Sequence, residues 1–171
     1  CTLCEAGKFA SDVAQSTCTD CIAGKWSSKV GLSDTCTDCE AGKYSSATAQ
    51  STDTCTSCPT GTIAAETGAT TCSDCLPGSY AGSTGLTSCT LCEAGKLQYA
   101  SGQVTCTDCV AGKWSSIVGL GNNYGACIDC IAGKWSDVVG LSSNTCTGCN
   151  AGKWSSTVGL SNNSCVDCIA N

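Results

Sequence analysis

Residues 18–35, CTDCIAGKWSSKVGLSDT, contain the pattern that decides the fold of this chain. Cys18 and Cys21 form a C-x-x-C pair, Gly24 follows three residues later, and Trp26 comes two residues after that. The chain has 20 cysteines, which fall into ten such pairs spaced 17 to 21 residues apart. Self-similarity at a fixed period is typical of repeat architectures. The sequence therefore predicts one continuous array over residues 1–171, with about nine repeats starting at residues 1, 18, 36, 55, 72, 89, 106, 127 and 146 and a partial repeat at 165–171.

The composition restricts both the fold and the function. There are 14 Asp and Glu residues against 8 Lys, with no Arg and no His. This balance argues against nucleic-acid binding and against catalysis that uses imidazole. Large side chains are scarce, with one Phe, four Trp and four Tyr, so a large continuous core is not expected. No apolar run reaches the roughly 20 residues of a membrane span, and the absence of a leader pattern suggests an internal or processed segment of a longer protein.

The cysteines could form disulfides or bind zinc, since two C-x-x-C pairs in series overlap zinc-ribbon spacing. Disulfides are favoured because ten pairs run in a regular series, because His is absent, and because Asp precedes the second Cys in six pairs. A neighbouring carboxylate opposes formation of the thiolate that binds metal. A single redox-active dithiol is also disfavoured by the ten copies. The sequence therefore predicts no metal site and no cofactor, and it places the chain in an oxidising, extracellular compartment.

Equivalence of the repeats predicts how the cysteines pair. If every repeat makes the same bond, the second Cys of each pair joins the first Cys of the next pair, and each loop encloses 13 to 17 residues. Cys1 and Cys168 would then seek partners outside the sequence. The rival scheme joins alternate pairs, such as Cys1–Cys18 with Cys4–Cys21, and uses every cysteine. The favoured ladder is Cys4–Cys18, Cys21–Cys36, Cys39–Cys55, Cys58–Cys72, Cys75–Cys89, Cys92–Cys106, Cys109–Cys127, Cys130–Cys146 and Cys149–Cys165.

Two columns of residues recur after each pair. A Gly three residues after the second Cys indicates positive φ or a close approach that Cβ would block. The large apolar residue two positions later is interpreted as packing on a disulfide and the next repeat, and a ligand-stacking row is the alternative. The aromatic members of this packing column are Phe9, Trp26, Tyr44, Tyr80, Trp114, Trp135 and Trp154, and Ile63 and Leu97 complete it.

Little regular secondary structure is expected. Segments 25–28, 113–116 and 134–136 are predicted as short strands, with second strands at the V-G-L segments 30–32, 118–120, 139–141 and 158–160. Each repeat would then be a small β-hairpin-like loop, and the array an elongated, solenoid-like rod of small disulfide-rich repeats. Asp residues of the pairs are expected to form solvated ion pairs with Lys, for example Asp20 with Lys25, and a repeated weak calcium site is the alternative.

The motifs resemble a known family. Segments 21–26 (CIAGKW), 39–44 (CEAGKY) and 75–80 (CLPGSY) look like the start of ephrin-receptor-type cysteine-rich repeats, which in turn resemble the first module of TNF-receptor repeats. Similar long arrays occur in surface proteins of algae and other protists. The resemblance covers the chain except for 168–171, where Asn171 stands in the Gly position. In these modules the Cys before the Gly-aromatic motif joins a Cys about one repeat further on, which agrees with the ladder.

The sequence favours a non-enzymatic structural role. The monotony of the repeats suggests an extracellular or cell-surface rod, filament or coat that associates with itself, because a specific binding site would require some repeats to differ. A ligand-binding receptor ectodomain with a protein partner is the alternative, with the least regular region, 55–103, as the place to look. A zinc-binding repeat protein is less favoured. No residue is assigned a catalytic role. Asn162, in the sequon Asn162-Asn163-Ser164, is the predicted glycosylation site, and covalent glycans on Ser and Thr are also considered.

Overall fold

The structure is a computed structural model, and it describes residues 3–10, 17–122 and 126–168. It divides into two compact units. One comprises Cys1–Cys75 and Ala81–Cys89, and the other comprises Leu76–Tyr80 and Thr90–Asn171. Across the described ranges there is no helix, and hence none that could cross a membrane. The fold is a series of small disulfide-rich repeats with short hairpins, as the sequence predicts.

Nine antiparallel hairpins, each of two two-residue strands, make up the regular secondary structure of the described residues. In each hairpin, the first strand holds the Lys-aromatic dipeptide or its equivalent, and the second strand holds the two residues between the cysteines of the next pair. The hairpins are β1 (Lys8–Phe9) with β2 (Thr19–Asp20), β3 (Lys25–Trp26) with β4 (Thr37–Asp38), β5 (Lys43–Tyr44) with β6 (Thr56–Ser57), β7 (Thr62–Ile63) with β8 (Ser73–Asp74), β9 (Ser79–Tyr80) with β10 (Thr90–Leu91), β11 (Lys96–Leu97) with β12 (Thr107–Asp108), β13 (Lys113–Trp114) with β14 (Ile128–Asp129), β15 (Lys134–Trp135) with β16 (Thr147–Gly148), and β17 (Lys153–Trp154) with β18 (Val166–Asp167).

The prediction of second strands at the V-G-L segments is wrong. The central glycines of these segments have positive φ, for example 72° at Gly31 and 75° at Gly119, so the backbone turns instead of extending. The residue after the glycine then makes a single parallel bridge to the aromatic position of the preceding repeat, as Leu32 does with Phe9. The predicted first strands at 25–28, 113–116 and 134–136 are present but shorter, at two residues each.

The prediction that the Asp and Lys columns form ion pairs is confirmed, but the partner predicted for Asp20 is wrong. Asp20 does not pair with Lys25; instead Lys8 Nζ lies 3.3 Å from Asp20 Oδ1, and Lys25 Nζ lies 2.6 Å from Asp38 Oδ1. The hairpin register explains the difference, because Lys8 is directly opposite Asp20 and Lys25 is directly opposite Asp38. Cross-strand neighbours of opposite charge lie within reach of each other.

Cystine sulfur, not aliphatic side chains, fills most of the interior. Cys21, Cys58, Cys75, Cys92 and Cys130 are fully buried. The packing column is only half-buried, and Trp154 is 51% exposed. Among the described residues, the one large aliphatic side chain that is fully buried is Leu120, which packs with Cys109, Cys127 and Leu97. The interior of the described residues is therefore formed mainly by disulfides, with few apolar side chains packed against them.

Candidate functional site

The recurring feature of this chain is a covalent and hydrogen-bonded ladder that joins each repeat to those after it. Here the repeats are numbered 1 to 9 in the order of their starting cysteines. The chemistry of the ladder rests on three contacts, namely a disulfide, a set of backbone hydrogen bonds and a close approach of two backbones. Each contact recurs with the same residue types.

The disulfides link the second Cys of one pair to the first Cys of the next, with Cα atoms 5.6 to 5.9 Å apart. This spacing suits an unstrained disulfide. Sulfur atoms bonded to each other are not available as zinc ligands, and no cluster of three potential metal-binding side chains occurs in the described part of the chain. Cys168 is an exposed free thiol, and Cys1 lies outside the described residues. The nine bonds are Cys4–Cys18, Cys21–Cys36, Cys39–Cys55, Cys58–Cys72, Cys75–Cys89, Cys92–Cys106, Cys109–Cys127, Cys130–Cys146 and Cys149–Cys165.

Backbone hydrogen bonds join each repeat to the next. The amide of Gly24 donates to the carbonyl of Ser45 at 2.7 Å, and the amide of Ala49 donates to the carbonyl of Cys21 at 2.7 Å. The amide of Ser27 donates to the carbonyl of Gln50 at 3.0 Å. The corresponding bonds recur in the second unit, for example from Gly140 to Cys109 at 2.8 Å. These bonds satisfy buried backbone groups that two-residue strands leave without partners.

Within each unit, a third contact joins several repeats to the repeat two places further along. Gly112 in repeat 7 has φ +82°, and a Cβ on it would meet the carbonyl of Gly159 in repeat 9 at less than 3.0 Å. Gly24, Gly42, Gly78 and Gly95 meet the equivalent carbonyl in the same way. The sequence predicts positive φ or a close approach for this column, and the structure shows both at these five glycines. Contacts between repeats therefore extend beyond immediate neighbours, because the backbones of these repeats n and n+2 also touch.

A second glycine column, which was not predicted from the sequence, supplies the turn that covers the first. It stands ten residues after the second Cys of the pair in repeats 2 and 4 to 9, and its members all have positive φ: Gly31, Gly68, Gly85, Gly102, Gly119, Gly140 and Gly159. In repeat 3 this position is Ala49, the one described non-glycine residue with positive φ, at 54°. The constant offset of ten residues was the signal that could have found this column. The length differences between repeats all fall between this glycine and the next Cys.

Ion pairs lie on the exposed surface of the repeats. Lys96 Nζ donates to Asp108 Oδ1 at 2.7 Å, and this hydrogen bond together with the negative charge of Asp108 raises the pKa of Lys96. The pKa of Lys43 is raised in the same way by Glu40. These side chains remain substantially exposed, so the pairs contribute less to stability than the disulfides do. No group in the described residues combines burial with a shifted pKa in the manner of a catalytic acid or base.

Comparison with known proteins agrees with this geometry. Residues 78–119 match the family described as tyrosine-protein kinase ephrin type A/B receptor-like. The match begins at Gly78 of the CLPGSY motif and extends to Gly119, a member of the second glycine column. No curated protein matches the chain. The chain is a disulfide-bonded array of cysteine-rich repeats, and its residues 78–119 match the ephrin-receptor-like family.

Proposed function

We propose that this chain is an extracellular structural protein that forms a rod and assembles into a filament or surface coat. The observation that carries the proposal is the recurrence of the same ladder contacts from repeat to repeat within each unit. Arrays whose repeats contact nearby repeats in a constant way extend in one direction as repeats are added. The disulfides support the extracellular assignment, because such bonds persist in oxidising compartments.

Small-angle scattering separates a rod from a globule. A compact domain of this length has a radius of gyration of about 16 Å. A rod that adds on the order of 10 Å per repeat is about 100 Å long, and its radius of gyration is about 29 Å. The fully unfolded chain is expected near 44 Å. We expect the oxidised protein near the rod value, and the reduced and alkylated protein near the unfolded value. A radius near that of a globule for the oxidised protein would refute the rod.

Self-association is the second part of the proposal. A column of exposed valines, one in each of several repeats, supports it. Val139 is 58% exposed and Val158 is 56% exposed, at the same position of successive repeats. Apolar residues that line up on a surface favour contacts between molecules. Sedimentation of a variant in which both valines are replaced by Ser should show less association than a control in which the exposed Ser142 and Ser161 are replaced by Ala. Equal association of the two variants would place the contact elsewhere.

A ligand-binding ectodomain is the second candidate function, and the match of residues 78–119 to a receptor-like family favours it. It predicts saturable binding of a protein partner to a monomeric chain. Replacement of residues 78–119 by a copy of two regular repeats distinguishes the candidates, because it should abolish such binding while leaving the scattering profile unchanged. Loss of assembly without loss of any partner would favour the structural role.

A predicted modification accompanies the structural role. Asn162 is exposed, and its carbonyl accepts a hydrogen bond from the amide of Ser164 at 2.9 Å, so the sequon lies in a tight turn. A glycan at this position remains a prediction. Release of N-linked glycans followed by mass measurement of the peptide that contains Asn162 tests it.

A further inference from the structure

Three shallow grooves of the described residues lie in different repeats and share three positions: a residue of the packing column, the Lys of the following repeat and a half-cystine. The first has a volume of about 220 Å³ and opens between the ring of Phe9 and the exposed side chain of Ile22, which is 61% exposed. Its lining also includes the Cys36 half of a disulfide and the exposed Thr35 that precedes it. The complete lining is Phe9, Thr19, Ile22, Lys25, Thr35 and Cys36.

The second and third grooves are built from equivalent positions in the other unit. One, of about 200 Å³, has Tyr80 in place of Phe9, Lys96 in place of Lys25, and Thr105 in place of Thr35. Its wall differs in one respect, because Glu93 replaces Ile22. The other, of about 260 Å³, has Leu97 at the aromatic position and Ala126 in place of Thr35. These volumes are below the roughly 300–1,000 Å³ of pockets for drug-sized ligands. Each groove therefore suits one small ring-shaped group.

The residue at the edge of these grooves belongs to an exposed column of hydroxyls. The position immediately before the first Cys of a pair is Thr or Ser in all the described repeats except at Ala126. The Thr54 hydroxyl donates to Gln50 at 2.6 Å, and the Thr105 hydroxyl makes a long contact of 3.4 Å with the carbonyl of Cys106. Within the described residues, the other hydroxyls of the column make no hydrogen bond. The column comprises Thr17, Thr35, Thr54, Thr71, Ser88, Thr105, Thr145 and Ser164.

We propose that hydroxyls of this column carry an O-linked monosaccharide whose ring lies in the adjacent groove, with Thr35 and Thr105 as the best-defined sites. The proposal goes beyond the structural function and does not depend on it. In the modification, the Thr oxygen attacks the anomeric carbon of a nucleoside-diphosphate sugar supplied by a transferase. A carbon–oxygen bond forms while the bond from the anomeric carbon to the phosphate oxygen breaks. The nucleoside diphosphate leaves with that electron pair, and a base of the transferase takes the hydroxyl proton.

The chemistry of the groove matches a pyranose ring. One face of a pyranose carries mainly C–H groups, which pack on an aromatic ring such as that of Phe9, and this contact would also cover Ile22. The hydroxyls on the ring edge would face solvent and Lys25, whose ammonium is already held by Asp38 at 2.6 Å. The aromatic column is half-buried in the unmodified chain, so a sugar would complete its cover.

Glycopeptide mass spectrometry of the intact chain, purified from the organism that makes it, tests the covalent part. Fragmentation that preserves the sugar should place a single sugar on Thr35 and on Thr105. The sequence provides a matched control, because the equivalent groove at Ala126 has no hydroxyl to modify. Unmodified Thr35 and Thr105, or sugars spread evenly over exposed Ser and Thr outside the column, would overturn the proposal.

The position of the ring is tested separately by nuclear magnetic resonance. Phe9 is the single Phe of the chain, so a Phe label gives an unambiguous probe. Nuclear Overhauser contacts are expected between the Phe9 ring and the sugar of Thr35. A Thr35→Ala variant should lose them, and Thr35→Ser should keep them. Absence of these contacts in a chain that carries the sugar at Thr35 would overturn the placement of the ring in the groove.

Discussion

The close approach between repeats n and n+2 leads to a prediction with an internal control. Gly112 and Gly133 both have positive φ, at +82° and +75°. A Cβ on Gly112 would meet the carbonyl of Gly159, whereas a Cβ on Gly133 would have no described atom within 4 Å. Alanine at either position costs roughly 1–2 kcal/mol for the left-handed backbone. Only Gly112→Ala also has to displace backbone, which costs about 1–3 kcal/mol more.

Amide hydrogen exchange on the oxidised protein measures this difference locally. Two amides hold the turn that covers Gly112: Gly159 donates to the carbonyl of Cys130 at 2.8 Å, and Ser136 donates to the carbonyl of Leu160 at 3.0 Å. A total cost of about 2–5 kcal/mol for Gly112→Ala lowers their protection by roughly 30-fold to several thousand-fold. For Gly133→Ala, the loss is about 5-fold to 30-fold. Equal losses in the two variants would show that no carbonyl lies against Gly112, and the interleaved stacking of the repeats would be refuted.

Three further predictions concern single positions. Leu120→Ala removes the one Leu that is fully buried among the described residues and should lower the free energy of unfolding by about 2–5 kcal/mol in urea titrations. Replacement of the half-buried Leu160 by Ala should cost less, and the reverse order would contradict the packing. Ala49→Gly relieves the positive φ of 54° and should raise the free energy of unfolding by up to about 1 kcal/mol, whereas a decrease would mean that Ala49 is not strained. The raised pKa of Lys96 means that its pairing with Asp108 stabilises the fold below the unfolded-state pKa of about 10.4 and ceases to do so as pH rises through the folded pKa. An Asp108→Asn variant should therefore differ from the parent in urea stability at pH 8, and the difference should shrink as the pH rises through the folded pKa of Lys96. A difference that persists once Lys96 has lost its proton would have another origin.

The sequence predicted those parts of the fold that follow from equivalence of the repeats. A glycine that recurs at a fixed offset, as Gly24 does, can be recognised as conformationally required from spacing alone. Hairpin pairing could not be predicted in this way. The strand 25–26 could pair with the V-G-L segment of its own repeat or with residues 37–38 of the next repeat, and two-residue strands carry too little pattern to choose. The choice depends on the turn at Gly31. The φ of 72° at Gly31 shows this turn in the structure, but the surrounding sequence does not predict it.

The candidate site was partly predictable for a related reason. The packing column was visible because Trp26, Trp114 and Trp135 occupy one position. Their half-exposure and the grooves beside them depend on how far the next repeat is displaced, and no property of a single repeat sets that displacement. Proximity along the chain predicts Asp20 as the ion-pair partner of Lys25. The actual partner is Asp38, because the cross-strand register of the hairpin determines the pairing.

The disulfide ladder determines what a protease can do to this chain. Every peptide bond between Cys21 and Cys36 lies inside a closed ring, so a single cut there leaves both fragments covalently joined. The same holds for each of the nine rings. The segment of variable length that precedes the first Cys of each new pair also lies inside a ring. Only the three peptide bonds within a pair, such as those from Cys36 to Cys39, lie between rings, and there one cut severs the polymer. A chain that is cut once within a ring therefore remains one covalent molecule, whereas the same cut in a chain without disulfides would release two fragments.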